Sequence, residues 1–424
     1  MEERKELYET KNEKERVILV GIENEGSIMG VDACLDELEE LINTAGAEVV
    51  GRLVQKRERP HPGHYLGKGK LEELEVMVNA YDATGIVCDD DLSPAQMRNL
   101  EQITNTKIMD RTMVVLDIFA QRASSREGKI QVELAQLKYR LSRLTGMGTV
   151  LSRLGGGIGT RGPGEKKLEM DRRHIKESIS QLNHELKEIR THRQLLRTGR
   201  EKSGTPVVAL VGYTNAGKST ILNRLTQAGV LEEDKLFATL DTTTRKVELP
   251  GGSEIMLTDT VGFIQKLSHH LVEAFKATLE ELKFADILLH VVDSSNPSRE
   301  EHIEVVYKTL KDLGCEGKPV ITVFNKIDKE VELPLPFDKN SSMTLGISAY
   351  NEVDLEKLIK AIEDLLKTFR TSLKVVIPYS DGAIIGMIHG KCDVLSEEHT
   401  ENGYEIELYA DEEMENRLNK YLVK

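Results

Sequence analysis

The chain has 424 residues, 30% charged and 39% hydrophobic, and at about 100–200 residues per domain it has apolar material for two to four cores. Lys and Arg number 57 against 71 Asp and Glu, so the net charge of −14 argues against a generic polyanion binder. The charge is unevenly spread, since residues 121–202 hold 19 basic and 9 acidic side chains, a basic island in an acidic chain. Cys34, Cys88, Cys315 and Cys392 are scattered with no CxxC pair, which gives no support to a disulfide framework or zinc knuckle and fits a reducing compartment. No signal-type apolar core opens the sequence, and no apolar run approaches the roughly 18–20 residues of a spanning helix. A cytoplasmic protein with no stable membrane insertion is expected.

Residues 1–15 read as a charged tail. Arg16–Ile22 (RVILVGI), Ala47–Val54 and Gly85–Cys88 read as strands, and Asp36–Ala45, Leu71–Asn79 and Pro94–Thr104 as helices. Strands alternating with helices predict an N-terminal α/β domain over 16–118 with a largely parallel sheet. The period then changes. Ile130, Leu134, Leu137, Leu141 and Leu144 step by heptad spacing, and Ile175, Ile179, Leu182, Leu186 and Ile189 repeat it. Two such seams bury each other most simply as an antiparallel helical hairpin, residues 119–202, with a glycine-rich tip at Gly146–Gly164.

A second α/β pattern fills 203–371, with strands in VVALVGY, EIMLTDT, DILLHVVD, PVITVFNK and SMTLGIS and a closing helix near Val353–Phe369. Residues 372–424 read as a small α+β domain, with strands in KVVIP, IIGMIHG and YEIELYA and a helix in DEEMENRLNKYL.

The chemistry gathers in the second pattern. Gly212-Tyr213-Thr214-Asn215-Ala216-Gly217-Lys218-Ser219 fits GxxxxGK[ST], follows a strand and opens a helix beginning with Ser219 and Thr220. Glycines let backbone N–H groups curl around a phosphate, Lys218 brings a charge to the β- and γ-phosphates, and the Ser219 hydroxyl suits Mg²⁺. Asp259-Thr260-Val261-Gly262 ends a strand; Asp259 suits Mg²⁺ through a water and Gly262 N–H a γ-phosphate oxygen. In Asn325-Lys326-Ile327-Asp328 a carboxylate can accept from guanine N1–H and its amine, a donor pair adenine lacks, so Asp328 selects guanine. Ser348, Ala349 and Tyr350 follow a strand where backbone N–H groups would meet the base. The four segments in this order predict a Mg²⁺-dependent GTPase.

Between the first two lies Phe237-Ala238-Thr239-Leu240-Asp241, a switch loop. Thr239 is the first choice to complete the Mg²⁺ shell with Ser219, with Thr242 and Thr243 as alternatives. Lys218, Thr239 and Gly262 are the catalytic candidates. Phe263 stands where many Ras-like GTPases carry a water-orienting Gln, so hydrolysis needs another group or a partner. Asn215 occupies the place where cation-dependent GTPases hold K⁺. Arg245 reads as a surface switch-loop arginine. His61 and His64 lack a third metal ligand, and Gly67-Lys68-Gly69-Lys70 lacks phosphate-loop spacing.

GYTNAGKST, FATLD, DTVGF, NKID and ISA, with GGGIGTRGPGEKKLEMDRR (Gly155–Arg173) and YLGKGKLEEL (Tyr65–Leu74), closely resemble the HflX-type GTPases, translation-factor-class relatives of the Era and Obg groups. The resemblance runs from about residue 16 to the end of the GTPase pattern. It implies an N-terminal α/β domain with a long antiparallel hairpin, a Ras-like P-loop domain with a mixed sheet flanked by helices, and a compatible α+β tail. It also implies binding to the large ribosomal subunit favoured by GTP, hydrolysis stimulated by the ribosome, and a task in splitting or rescuing stalled ribosomes or in subunit biogenesis. The family carries a hydrophobic residue in the place of Phe263, whereas Thr242 stands where a proline is expected. The residues of the hairpin themselves point to RNA: Arg153, Arg161, Lys166 and Lys167 surround a glycine-rich tip, with no aromatics for base stacking. A monomer is expected. A GTPase acting on another RNA and a GTP-gated protein-binding scaffold are the alternatives.

Overall fold

The computed structural model describes residues 14–24, 29–154, 163–201, 205–226, 236–266, 268, 271, 279–329, 336–369, 371–410 and 412–423. The chain forms two compact units. Unit 1 comprises residues 1–187, 233–241 and 262–278; unit 2 comprises 188–232, 242–261 and 279–424.

Unit 1 is built on β1 (Arg16–Glu23), β2 (Glu48–Lys56), β3 (Gly85–Cys88) and β4 (Lys107–Asp110), all parallel in the order β2-β1-β3-β4. Period-two alternation sends the two faces of β1 into different layers. Ile18, Val20 and Ile22 pack with Leu71, Leu74 and Val78 of α2 (Lys68–Ala80) and Leu100 of α3 (Pro94–Thr104). On the other side lies α1 (Val31–Ala45), so close that a Cβ on Gly21 would come within 2.9 Å of Val31. Helix α4 (Arg111–Arg122) packs on α1. Local signals set the ends: Ser93 and Gln96 form a reciprocal capping box on α3 with Pro94 in its first turn, and the Asp110 side chain caps α4 by accepting from Met113 N–H.

The hairpin helices are α5 (Arg126–Leu154) and α6 (Pro163–Glu201). Arg126 at the start of α5 reaches Glu185 in the second half of α6 at 3.5 Å, as an antiparallel pair requires. Ile130, Leu134, Leu182 and Leu186 of the heptad seams are buried. Helix α5 turns a second face to the sheet: Tyr139 Oη donates to Asp110 at 2.8 Å and Arg143 pairs with the same carboxylate. The expected tip at Gly146–Gly164 is shorter than that. Gly146 and Gly148 lie inside α5, where each costs only about 1 kcal/mol relative to alanine, and Pro163 opens α6. Residues 155–162, Arg161 among them, lie outside the described residues, and only the backbone is described at Arg153, Lys166 and Lys167.

Unit 2 carries a six-stranded sheet in the order β10-β9-β8-β5-β7-β6: β5 (Val207–Gly212), β6 (Thr243–Glu248), β7 (Glu254–Asp259), β8 (Ile287–Asp293), β9 (Val320–Asn325) and β10 (Met343–Gly346). All pairs are parallel except β6 on β7, so the sheet is mixed. Helices α7 (Lys218–Thr226), α8 (Arg299–Asp312) and α9 (Glu352–Thr368) accompany it. The core joins Val208, Leu210, Leu257 and Leu289 of the sheet to Leu222 of α7 and Leu358 and Ile362 of α9.

The tail is a three-stranded antiparallel sheet, β11 (Thr371–Ile377), β12 (Asp393–Thr400) and β13 (Gly403–Ala410) in the order β11-β13-β12, with α10 (Gly382–Lys391) and α11 (Glu412–Leu418). Here the strand reading of IIGMIHG is overturned: the segment is helix α10, and the strand is the polar DVLSEEHT after it. A short apolar run has no period that separates strand from buried helix. The β12–β13 register is closed by a tight turn at Gly403, whose φ of +136° no side chain takes easily. Among the described residues no helix is long and apolar enough to cross a membrane.

Candidate functional site

Strand β5 runs into a loop at Gly212 and re-emerges as α7 at Lys218. Two glycines make that turn possible. Gly212 has φ +151° with the Val291 carbonyl against its Cα, and Gly217 has φ +96° against the Asn325 amide. Asn215 takes φ +60° in the same loop, and Ala216 is buried. The Lys218 ammonium folds over the loop, donating to Tyr213 O at 2.7 Å and Gly212 O at 3.2 Å. Burial pulls its pKa down to about 8, against the opposing pull of Asp259. Ser219 Oγ donates to Asp259 Oδ2 at 2.7 Å. A hydroxyl and a carboxylate converging at a helix N-terminus are the hard oxygen donors that suit Mg²⁺.

The base-side loop is wired to the phosphate loop through one residue. Asn325, buried at the end of β9, donates to Ala216 O at 2.9 Å and accepts from Ala349 N–H at 3.0 Å. Asp354 accepts from Ser348 N–H at 3.1 Å, and Tyr350 N–H donates to the Ser348 hydroxyl at 3.4 Å. Ile327 N–H joins Ile347 O at 3.3 Å. Lys326, at φ +65°, pairs with Asp293 at 2.8 Å, while Asp328 stays exposed. Unit 2 thus brings together the residues expected from the phosphate, DTV, NKID and SAY segments.

Other side chains of these segments have partners within the fold. Thr260 Oγ1 donates to Leu210 O at 2.6 Å, and Val261 is buried, so both side chains serve the fold. Thr220 is half-buried in the first turn of α7. Tyr350 is exposed, with Arg224 over its ring at 5.2 Å. The sequence reading passed over His302 of α8, whose ring stacks on Tyr213 at 3.6 Å with planes 5° apart. A lone histidine in an otherwise charged helix turn, REEHIE, carries no pattern that would reveal such a stack.

The segment Phe237–Asp241 and Gly262 group with unit 1. Phe237 is buried edge-on against Phe119 at 4.7 Å, Leu240 is buried, and Ala238 and Thr239 are half-buried. The carboxylate of Asp241, the last residue of the switch segment, is held by Ser124 and Ser125. Phe263 is fully buried, and its apolar ring has no donor or acceptor with which to orient water. After it, Lys266 pairs with Asp89 and Asp90, and Cys34 Sγ lies 3.2 Å from Gln265 Oε1. Burial raises the Cys34 thiol to about 11, which leaves it inert as a nucleophile. His61 Nδ1 accepts from Gly63 and His64 N–H, closing a turn, and Gly67-Lys68 begins α2. No group of three metal-ligating side chains occurs among the described residues.

Three family models match in succession: a GTP-binding GTPase N-terminal region over residues 32–120, a GTP-binding GTPase middle region over 122–200, and a 50S ribosome-binding GTPase over 207–326. The chain is 56% identical over 409 residues to the GTPase HflX of Lacrimispora saccharolytica, covering 96% of each. It is 42% identical over 353 residues to the GTPase HflX of Escherichia coli, covering 82% of this chain and 83% of that one. A crystal structure of a GTP-binding protein from Sulfolobus solfataricus in complex with GDP aligns at TM-score 0.41 and 24% identity, over 84% of this chain and 99% of that chain. The chain is thus a GTP-hydrolysing enzyme, and it belongs to the HflX family of GTPases.

Proposed function

We propose that this GTPase is a switch that engages the large ribosomal subunit and acts in splitting or rescuing stalled ribosomes or in subunit biogenesis. Within the site, Lys218 and the loop N–H groups offset charge on the β- and γ-phosphates, and Gly262 N–H meets the γ-phosphate. Asp328 accepts from guanine, and Asn325 holds the base-side and phosphate-side loops at fixed spacing. Ser219 and Thr239 would hold Mg²⁺, with Asp259 behind Ser219; the ion supplies charge neutralisation at the phosphates. Asn215 is the place for a K⁺ ion.

The observation that carries the ribosomal reading is the hairpin, helices of 29 and 39 residues bearing the chain's basic island. Long basic helices with a glycine-rich tip suit phosphate and shape contacts with folded RNA. Buried Phe263 supports dependence on a partner, since the usual water-orienting group is missing. GTP turnover measured with and without large subunits in K⁺ buffer tests the reading: stimulation well above about tenfold is expected. Turnover indifferent to the subunit would leave the GTPase and remove the ribosomal role. Charge reversal at Arg161 and Lys166 should weaken co-pelleting with subunits; unchanged pelleting would sink the hairpin assignment.

A further inference from the structure

Two clusters, both wholly inside unit 1, fasten the segments that carry Thr239 and Gly262. The first is centred on Asp241, two residues after Thr239. One carboxylate oxygen accepts from Ser124 N–H at 3.1 Å, Ser124 Oγ at 2.7 Å and Ser125 N–H at 2.8 Å; the other accepts from Ser125 Oγ. Ser125 is also the cap of α5, its hydroxyl accepting from Gly128 N–H at 2.9 Å. The carboxylate therefore sits at the positive end of the first hairpin helix, where hydrogen bonds to an anion are strongest. Gly128 is bare on that side, and a Cβ there would collide with the Asp241 carboxylate.

The second cluster lies four residues after Gly262. In a parallel sheet ordered β2-β1-β3-β4 the connections leave β1 and β3 in opposite directions, and the crevice beyond their carboxyl ends is the usual ligand site. Here the Lys266 ammonium approaches that end. It pairs with Asp89, the residue directly after β3, and with Asp90. Asp89 is in turn gripped by buried Arg111, and Asp90 by Tyr65 Oη at 2.7 Å.

We propose that Asp241 and Lys266 are positioning residues for GTP hydrolysis. Asp241 ties the loop carrying Thr239 to the first turn of the hairpin, and Lys266 ties the loop after Gly262 to the carboxyl end of the four-stranded sheet. The inference rests on the reading of Thr239 and Gly262 given above. Neither side chain needs to touch nucleotide. Each removes freedom from a loop that would otherwise be ordered at the moment of reaction, so its loss falls on kcat. By linkage, a ligand that shifts the hairpin shifts the loops by the same free energy, and nucleotide shifts the hairpin in return.

The test is steady-state GTP hydrolysis by the full chain. D241N is expected to lower kcat about tenfold with KM for GTP within about twofold, and S124A/S125A to do the same. Combined, the three changes should lose no more than either alone, because they break one contact. K266M should lower kcat and K266R restore most of it. G128A guards against a folding defect, since alanine favours the helix while its methyl displaces the carboxylate; the same kcat loss is expected. Unchanged or raised kcat in D241N or G128A, or losses that multiply to about a hundredfold in the combined variant, would overturn the inference. T239A in the same assay reads the proposed metal-side hydroxyl by itself: its neutrality would sink that reading whatever D241N does.

Discussion

The carboxyl ends of the parallel strands in the two sheets have been put to opposite uses. In unit 2 the end of β5 is lined by glycines and backbone N–H groups, and its cation, Lys218, rests on two loop carbonyls. Neutral carbonyls are weaker partners for an ammonium than an anion is, so an anionic ligand can take their place. In unit 1 the end of β3 is filled by fixed charges: Arg111 between Glu37 and Asp89, and Lys266 between Asp89 and Asp90. The same architecture makes a binding site when donors are left to a ligand, and a structural joint when side chains answer one another.

That contrast predicts which kind of damage each cation causes. Arg111 is almost completely buried, with two carboxylates and the Cys34 carbonyl as partners. R111M takes the buried cation from Glu37 and one of the two cations from Asp89, and should cost about 3–5 kcal/mol, read as a fall of roughly 10 °C in the melting of unit 1. A melt unchanged within a degree would break the comparison. K218A should do the reverse, lowering GTP hydrolysis by about 10²–10³ while the melting midpoint holds within about 2 °C. A collapse of folding in K218A would mean that the phosphate loop depends on its cation as heavily as the joint in unit 1 does.

A smaller effect separates the units by pH. Burial holds His302 down at about 4 beside Asp293, and His290 at about 4 beside Asp338, with Lys218 adding repulsion at His290. Both histidines lie in unit 2. Each folded pKa lies below the unfolded value of about 6.5, so the unfolded chain binds more protons between those limits. Stability is therefore fully present above about pH 6.5 and is lost as the pH falls toward 4, by about 1 kcal/mol per histidine at pH 5.5. Phe in place of His302 keeps the stack on Tyr213 and removes one titrating site, so H302F should melt with a flatter dependence between pH 7 and 5.5. An identical slope would assign the effect elsewhere.

What the sequence revealed follows the same division. The phosphate loop was legible because phosphate chemistry fixes residue types at fixed spacing within eight positions, and strand and helix flank them. The heptads were legible because a seam repeats. The joint in unit 1 was not. Asp241 meets Ser124 across 117 positions and Lys266 meets Asp89 across 177, and neither pair carries a local pattern. Strand β6 (TTRKVE) escaped because only Val247 of its side chains is buried, so an edge strand shows no alternation. Helix α10 was misread for the opposite reason: its run is apolar throughout, and the polar strand behind it is held by register with β13 rather than by composition.

The smallest expected effect isolates burial as the variable. Arg52 resembles Arg111 in partners, reaching Asp36 at 2.6 Å and also pairing with Glu39, and like Arg111 it joins the four-stranded sheet to α1. Its side chain, however, is 37% exposed against 2% for Arg111. Water already solvates all three charges, so removing one strands nothing. R52A should cost less than about 1 kcal/mol and lose most of that cost in 0.5 M salt, because screening acts on exposed pairs. The R111M loss should persist in the same salt, since the low-dielectric interior admits no counterion to replace the guanidinium. Equal losses for the two arginines, measured by melting in parallel, would mean that pairing geometry rather than desolvation decides the strength of the joint.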